Sequence, residues 1–172
     1  MTACIKIKVI ACLLIGIIIF GALAALFIEV FGTTTQLSGI QAQLTDAGGE
    51  IIANDDNVVF NEILNDQSSN ITYNTVTGEF IITEPGNYYV DWWFAADGAG
   101  PAINVSFAIA VDGIPFSTAS TPNVSGVIAG EALVTVTTTP AIITLINVTG
   151  EDAFVPITPV QSNIVILEVV NQ

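Results

Sequence analysis

Two hydrophobic patterns divide the chain. From Val9 to Ile28 there are 20 consecutive residues without a charge, mostly Ile, Leu, Ala and Val; as a helix such a run spans about 30 Å, the thickness of a bilayer core. Past Gly32 the texture becomes one of short β-branched runs broken by Gly, Pro, Asn and Asp, with no long helical period. The predicted strands are Ile40 to Leu44, Val58 to Leu64, Ile71 to Thr75, Glu79 to Thr83 and Asn87 to Ala96. They continue with Val105 to Val111, Ile114 to Ser117, Ser125 to Thr137, Ala141 to Asn147 and Ile164 to Val170. Thr77-Gly78 and Asp112-Gly113 mark two hairpins, the second an Asp-Gly of the primed-turn kind. About ten strands predict an all-β sandwich or barrel. The chain is thereby divided into an N-terminal hydrophobic helix (1–32), a linker (33–38) and a β body (39–172).

One stretch, Asn87 to Gly100, reads "NYYVDWWFAADGAG" and concentrates the chain's large aromatics. Strand side chains alternate faces, so Tyr88, Val90, Trp92 and Phe94 point one way and Tyr89, Asp91, Trp93 and Ala95 the other. The first set is uninterrupted apolar and predicts core. The second mixes two large aromatics with a charge, which suits a surface covered by another part of its own chain, a neighbouring subunit or a ligand. The pattern leaves these three open.

Charge narrows the function classes. The only basic residues are Lys6 and Lys8, there is no histidine, and 15 of the 16 acidic residues follow position 33. A body without a cation cannot neutralise phosphates, which excludes nucleic acid as a partner and disfavours a nucleotide enzyme. The same lysines, on one side of the apolar run, place the N-terminus in the cytosol and the body outside by the positive-inside rule. A signal anchor is favoured over a cleavable signal peptide, because the run continues through Leu26, Phe27 and Ile28 beyond the small-x-small site at Ala22-Leu23-Ala24. A third reading makes Val9 to Ile28 an element that packs with copies of itself. Cys4 and Cys12 both lie in this segment, so the body has neither disulfide nor thiol chemistry.

Enzymatic readings fail for want of residues. Without histidine there is no serine triad, and without exported cysteine no zinc site. The "GAG" at Gly98 to Gly100 lacks the lysine and the strand-to-helix context of a phosphate loop. No cofactor is expected. The carboxylates sit mostly in turns, and Asp55 and Asp56 are the weak candidates for a calcium site. Asn-x-Ser/Thr triplets occur at Asn70, Asn104, Asn123 and Asn147, too few above expectation to argue from.

The segment from Tyr73 to Trp92 carries Tyr73, Phe80, Gly86, and then Tyr88, Val90 and Trp92 in alternation. This resembles the signature of the globular heads of the complement collagen-like subcomponent and tumour necrosis factor superfamily. "VVFNEILNDQSSNITYN", "GEFIITEPGNYYVDWWFAADGAGP", "GEALVTVTTTPAIITLINVTG" and "PVQSNIVILEV" resemble the C-terminal domain of BclA-type collagen-like glycoproteins of spore exosporia. The resemblance covers about Leu37 to Val170. It implies a jelly-roll head assembled as a homotrimer, with a structural or adhesive role on a spore or cell surface. Tyr89, Asp91 and Trp93 are the candidates for the subunit contact or for a ligand face, glycan or protein. The chain departs from that family in having no Gly-X-Y stalk before the head; a membrane-length segment stands there instead, a layout that looks like membrane-bound tumour necrosis factor ligands.

Overall fold

A computed structural model describes residues 37–102, 104–122 and 124–169. The N-terminal helix expected over 1–32 lies outside the described residues, which form one compact unit. Twelve strands form it: β1 (Gly39–Thr45), β2 (Ile51–Ile52), β3 (Glu62–Asp66), β4 (Ile71–Asn74), β5 (Glu79–Ile82) and β6 (Gly86–Asp97), then β7 (Val105–Val111), β8 (Ile114–Thr121), β9 (Ser125–Val136), β10 (Ala141–Asn147), β11 (Ala153–Phe154) and β12 (Val160–Val169). They build two five-stranded sheets, ordered β3-β1-β12-β6-β9 and β4-β5-β10-β7-β8, and a small β11-β2 pair. The all-β sandwich expected from the sequence is present, with twelve strands in place of ten.

Period-two alternation fills the space between the sheets. On β6, Tyr88, Val90, Trp92 and Phe94 are all at most 2% exposed and form the centre of the core. From the other sheet β7 contributes Val105, Phe107 and Ile109, and Phe107 stacks on Phe94 with ring centroids 4.2 Å apart. Burying a side chain of this size contributes roughly 1.5–3 kcal/mol. Opposite Trp92 on β9 stands Gly130, and the indole lies over it: a Cβ there would come within 2.8 Å of Trp92 Cζ2. The wide ring fits because its cross-strand neighbour has no side chain.

The turns follow the residues that shape them. Asp112 and Gly113 both have positive φ (51° and 78°), as a type I′ hairpin between β7 and β8 requires. The Asp112 carboxylate also accepts the Ile142 N–H at 2.8 Å, tying the turn to β10. The β4–β5 connection is longer than a two-residue Thr77-Gly78 turn. Four residues link the strands, Gly78 N donates to Asn74 O at 2.9 Å, and the Asn74 side chain accepts the Val76 N–H.

The strand expected over Val58 to Leu64 is corrected. Val58 and Phe60 are buried, but only Glu62–Asp66 pairs as a strand. The reason is Tyr73, whose hydroxyl accepts the Phe60 N–H at 2.6 Å and donates to the Phe60 carbonyl at 3.0 Å. One phenol thus satisfies both backbone groups that a neighbouring strand would otherwise pair. Its ring closes a cluster with Phe80 (4.4 Å) and Phe60 (6.3 Å). The β8 strand also outruns its expected end at Ser117: the register shifts by one residue at Phe116, between the Ala110–Pro115 and Ile109–Ser117 pairs, and pairing continues to Thr121.

Burial pushes the Tyr73 phenol up to about 12, the backbone bond to Phe60 opposing it in part. Tyrosine is the neutral form below its pKa, so its folded value lies above the unfolded 10.0. Its contribution is therefore complete below pH 10 and is lost as pH rises from 10 through 12. Urea midpoints measured across that window should fall with pH. Tyr73→Phe should flatten the fall, leaving the contributions of Tyr88, which burial and then the charges of Glu168 and Glu84 also raise, and of Tyr89, which its hydrogen bond to Glu131 raises. At neutral pH the same variant should lose about 1–3 kcal/mol, because Phe60 keeps two buried polar groups without their partner.

Candidate interaction face

The sheet β3-β1-β12-β6-β9 turns its second face away from the core, and the residues expected to carry function meet there. Tyr89, Asp91 and Trp93 project from β6 on the side opposite Tyr88, Val90 and Trp92. Register brings Leu167, Val165 and Asn163 of β12 beside them on one flank, and Leu133, Glu131 and Ala129 of β9 on the other. Beyond β12, Gln41 and Gln43 of β1 complete the surface. Asp91 is exposed, Tyr89 and Trp93 are half-buried, and at the β9 margin Val127 and Leu133 are 63% and 61% exposed. The result is an apolar and aromatic field with polar side chains set into it.

Those polar groups are partly tied to one another. The Tyr89 hydroxyl donates to Glu131 Oε2 at 2.8 Å. That bond, with lesser contributions from burial and from the charges of Glu131 and Asp91, raises the phenol above its ordinary value and keeps it a donor at neutral pH. Gln41 Nε2 donates to Asn163 Oδ1 at 2.9 Å, fixing the amides beside Trp93. Asp91 and Glu131 are direct cross-strand partners, the arrangement in which like charges oppose each other most. Where β1 and β12 begin and end, Leu37, Gln41, Asn65, Val165 and Leu167 line a shallow depression of about 70 Å³.

The other expected site residues fall as follows. Phe80, Tyr88, Val90, Trp92 and Phe94 are buried core; Tyr73 and Gly86 are half-buried at its edge. Asp55 and Asp56 sit exposed in the loop after β2, where Asn54 Nδ2 donates to Asp55 Oδ2 at 2.9 Å. Among the described residues no three His, Cys, Asp or Glu side chains gather as a metal site, and no helix is long and apolar enough to cross a membrane. Asn147 is fully buried, its amide donating to the Ile52 and Glu151 carbonyls, so this triplet cannot carry a glycan in the folded chain. Sequence reasoning on the β6 stretch alone missed Glu131, Leu133, Asn163, Val165 and Leu167. The alternation in "GEALV" and "SNIVILEV" carried that signal, but only strand order places it beside β6.

No family model matches the chain, and no curated protein matches it. Solved structures do. The globular domain of zebrafish complement 1qA is 17% identical, covering 80% of this chain and 100% of its own, with a TM-score of 0.57. Eiger TNF from S. frugiperda is 11% identical over 79% of this chain and 94% of its own, at a TM-score of 0.58. Murine APRIL is 9% identical over 78% of this chain and 100% of its own, at 0.59. Likeness at such identities is a statement about backbone alone, and it is consistent across all three: the described body has the jelly-roll fold of complement and tumour necrosis factor globular heads.

Proposed function

We propose that the protein is a non-enzymatic structural component of a spore or cell surface, whose jelly-roll head assembles as a homotrimer through the face built on Tyr89 and Trp93. The observation that carries this reading is the face itself. Tyr89, Trp93, Leu133, Val165 and Leu167 form an apolar field, with Asp91 and Glu131 set into it, on a body that is strongly acidic overall. Fields of this kind mark interaction sites, and closed rotational symmetry covers them without leaving a sticky surface. The complement-like fold supports it, and the four quoted segments favour the exosporium glycoprotein head within that fold. In this reading the Val9 to Ile28 segment is a retained anchor that holds the head outside the membrane, and no cofactor or metal takes part.

A second reading rests on the same residues. Trp93 stands between Asp91 and Asn163, a ring with hydrogen-bonding neighbours, which is the chemistry of a glycan or peptide platform. The head would then be an adhesin. Trp93→Ala separates the two when the full chain is studied in nonionic detergent. Loss of a central interface tryptophan typically costs 2 kcal/mol or more per contact, so the variant should dissociate at low micromolar concentration. A variant that keeps the wild-type mass and loses retention on glycan or peptide arrays would sink the assembly reading in favour of the adhesin.

A further inference from the structure

We infer that assembly through this face takes up protons, so that the head is a trimer held weakly at neutral pH and firmly under mild acid. The inference rests on the trimer reading above and on three observations. Asp91, between Tyr89 and Trp93 on β6, is directly opposed by Glu131 on the edge strand β9. Tyr89 donates one hydrogen bond to Glu131 and cannot donate to Asp91 as well. Finally, no lysine, arginine or histidine occurs after Lys8, so the body of a second copy has no basic side chain to offer either carboxylate.

The consequence follows from desolvation. In the free head both carboxylates are exposed and water solvates them. Against a second copy they would lose that water, and a pair of unneutralised carboxylates in a low-dielectric contact is strongly unfavourable. Two neighbouring carboxylates relieve this by sharing one proton. The surroundings supply no other relief: β12 faces the pair with Asn163, Val165 and Leu167, β8 beyond β9 carries no ionisable side chain, and β1 offers Gln41 and Gln43. The further acids on this face lie at its margins, Asp97 at the end of β6 and Glu62 on β3, while Glu168 of β12 is paired with Tyr88 and belongs to the opposite face. One proton per pair makes three per trimer, and linkage then raises the association constant by up to about a thousandfold for each pH unit of acidification.

The test is sedimentation of the full chain in nonionic detergent at pH 7.5 and 5.5, with 0.5 M salt to shorten the screening length to about 4 Å and suppress general repulsion between acidic bodies. Tryptophan emission is read in parallel; Trp92 is buried throughout, so a blue shift reports Trp93 entering the contact. Wild type should trimerise more tightly and shift blue at pH 5.5, and Asp91→Asn with Glu131→Gln should be trimeric and shifted at both. A wild type that is equally trimeric at both pH values, or a double variant with the wild-type pH response, would overturn proton uptake and leave the trimer intact. Strengthening by calcium at pH 7.5 with no response to pH would overturn it in favour of a bridging cation. A monomer in every condition, double variant included, would overturn the assembly reading itself.

Discussion

Trp92→Ala should cost the body about 2–4 kcal/mol, whereas Trp93→Ala, one residue away, should leave protomer stability within about 1 kcal/mol. Truncating a fully buried aromatic removes its contacts and leaves a cavity, a loss of about 3–5 kcal/mol. Trp92 is 1% exposed and sits at the centre of the core, with Gly130 under its ring and the Ala119 methyl close by. Part of the loss is returned. Its Nε1 finds no hydrogen-bond partner among the described residues, and removing such an orphan gives back about 1 kcal/mol or slightly more. Domains of this size have about 5–15 kcal/mol in total, so Trp92→Ala should also lower the melting temperature by roughly 10 °C. Urea midpoints of the two variants, read against wild type at a protein concentration low enough for all three to be monomeric, decide the matter. Equal midpoints would mean that β6 does not present its two faces as described.

The second large effect is expected at Gly78. Its φ is +74°, and a Cβ there would sit 2.7 Å from the Val58 carbonyl oxygen and 3.3 Å from Asn57 Cβ. A backbone oxygen cannot swing aside as a long side chain can. An L-residue in the left-handed region costs about 1–2 kcal/mol, and forced overpacking adds about 1–3 kcal/mol, so Gly78→Ala should lose about 2–5 kcal/mol. Gly113→Ala provides the control. That glycine has nearly the same φ, +78°, with nothing within 4 Å of the added methyl, and should lose only the conformational part. If the two variants melt alike, the Gly78–Val58 approach is not what holds the β4–β5 turn against the Val58–Phe60 segment.

Much of the fold was legible because period-two alternation and turn residues are local signals. The β6 stretch gave both its faces, and Asp112-Gly113 gave its turn type, since each depends on neighbours within a few positions. What stayed hidden depends on distant residues. Ile51–Ile52 and Ala153–Phe154 pair across about 100 positions and are too short to carry a pattern. Val58 to Phe60 has the composition of a strand, and only the hydroxyl of Tyr73, 13 residues on, explains why it is not one. The candidate face was half legible for the same reason. Tyr89, Asp91 and Trp93 are evident in one strand, but Glu131 and Val165 become their neighbours only when β9 and β12 take their places on either side.

Strand order has a mechanical consequence. β1 and β12 lie side by side and antiparallel, with Gly39 opposite Leu167 and the Glu168 N–H bonded to the Ser38 carbonyl. Leu37 and Val169 therefore leave the body at the same end. Tension applied between them would peel the two strands apart one rung at a time, the weak direction of an antiparallel pair, instead of shearing the whole ladder at once. Such a body resists being pulled through its own length poorly.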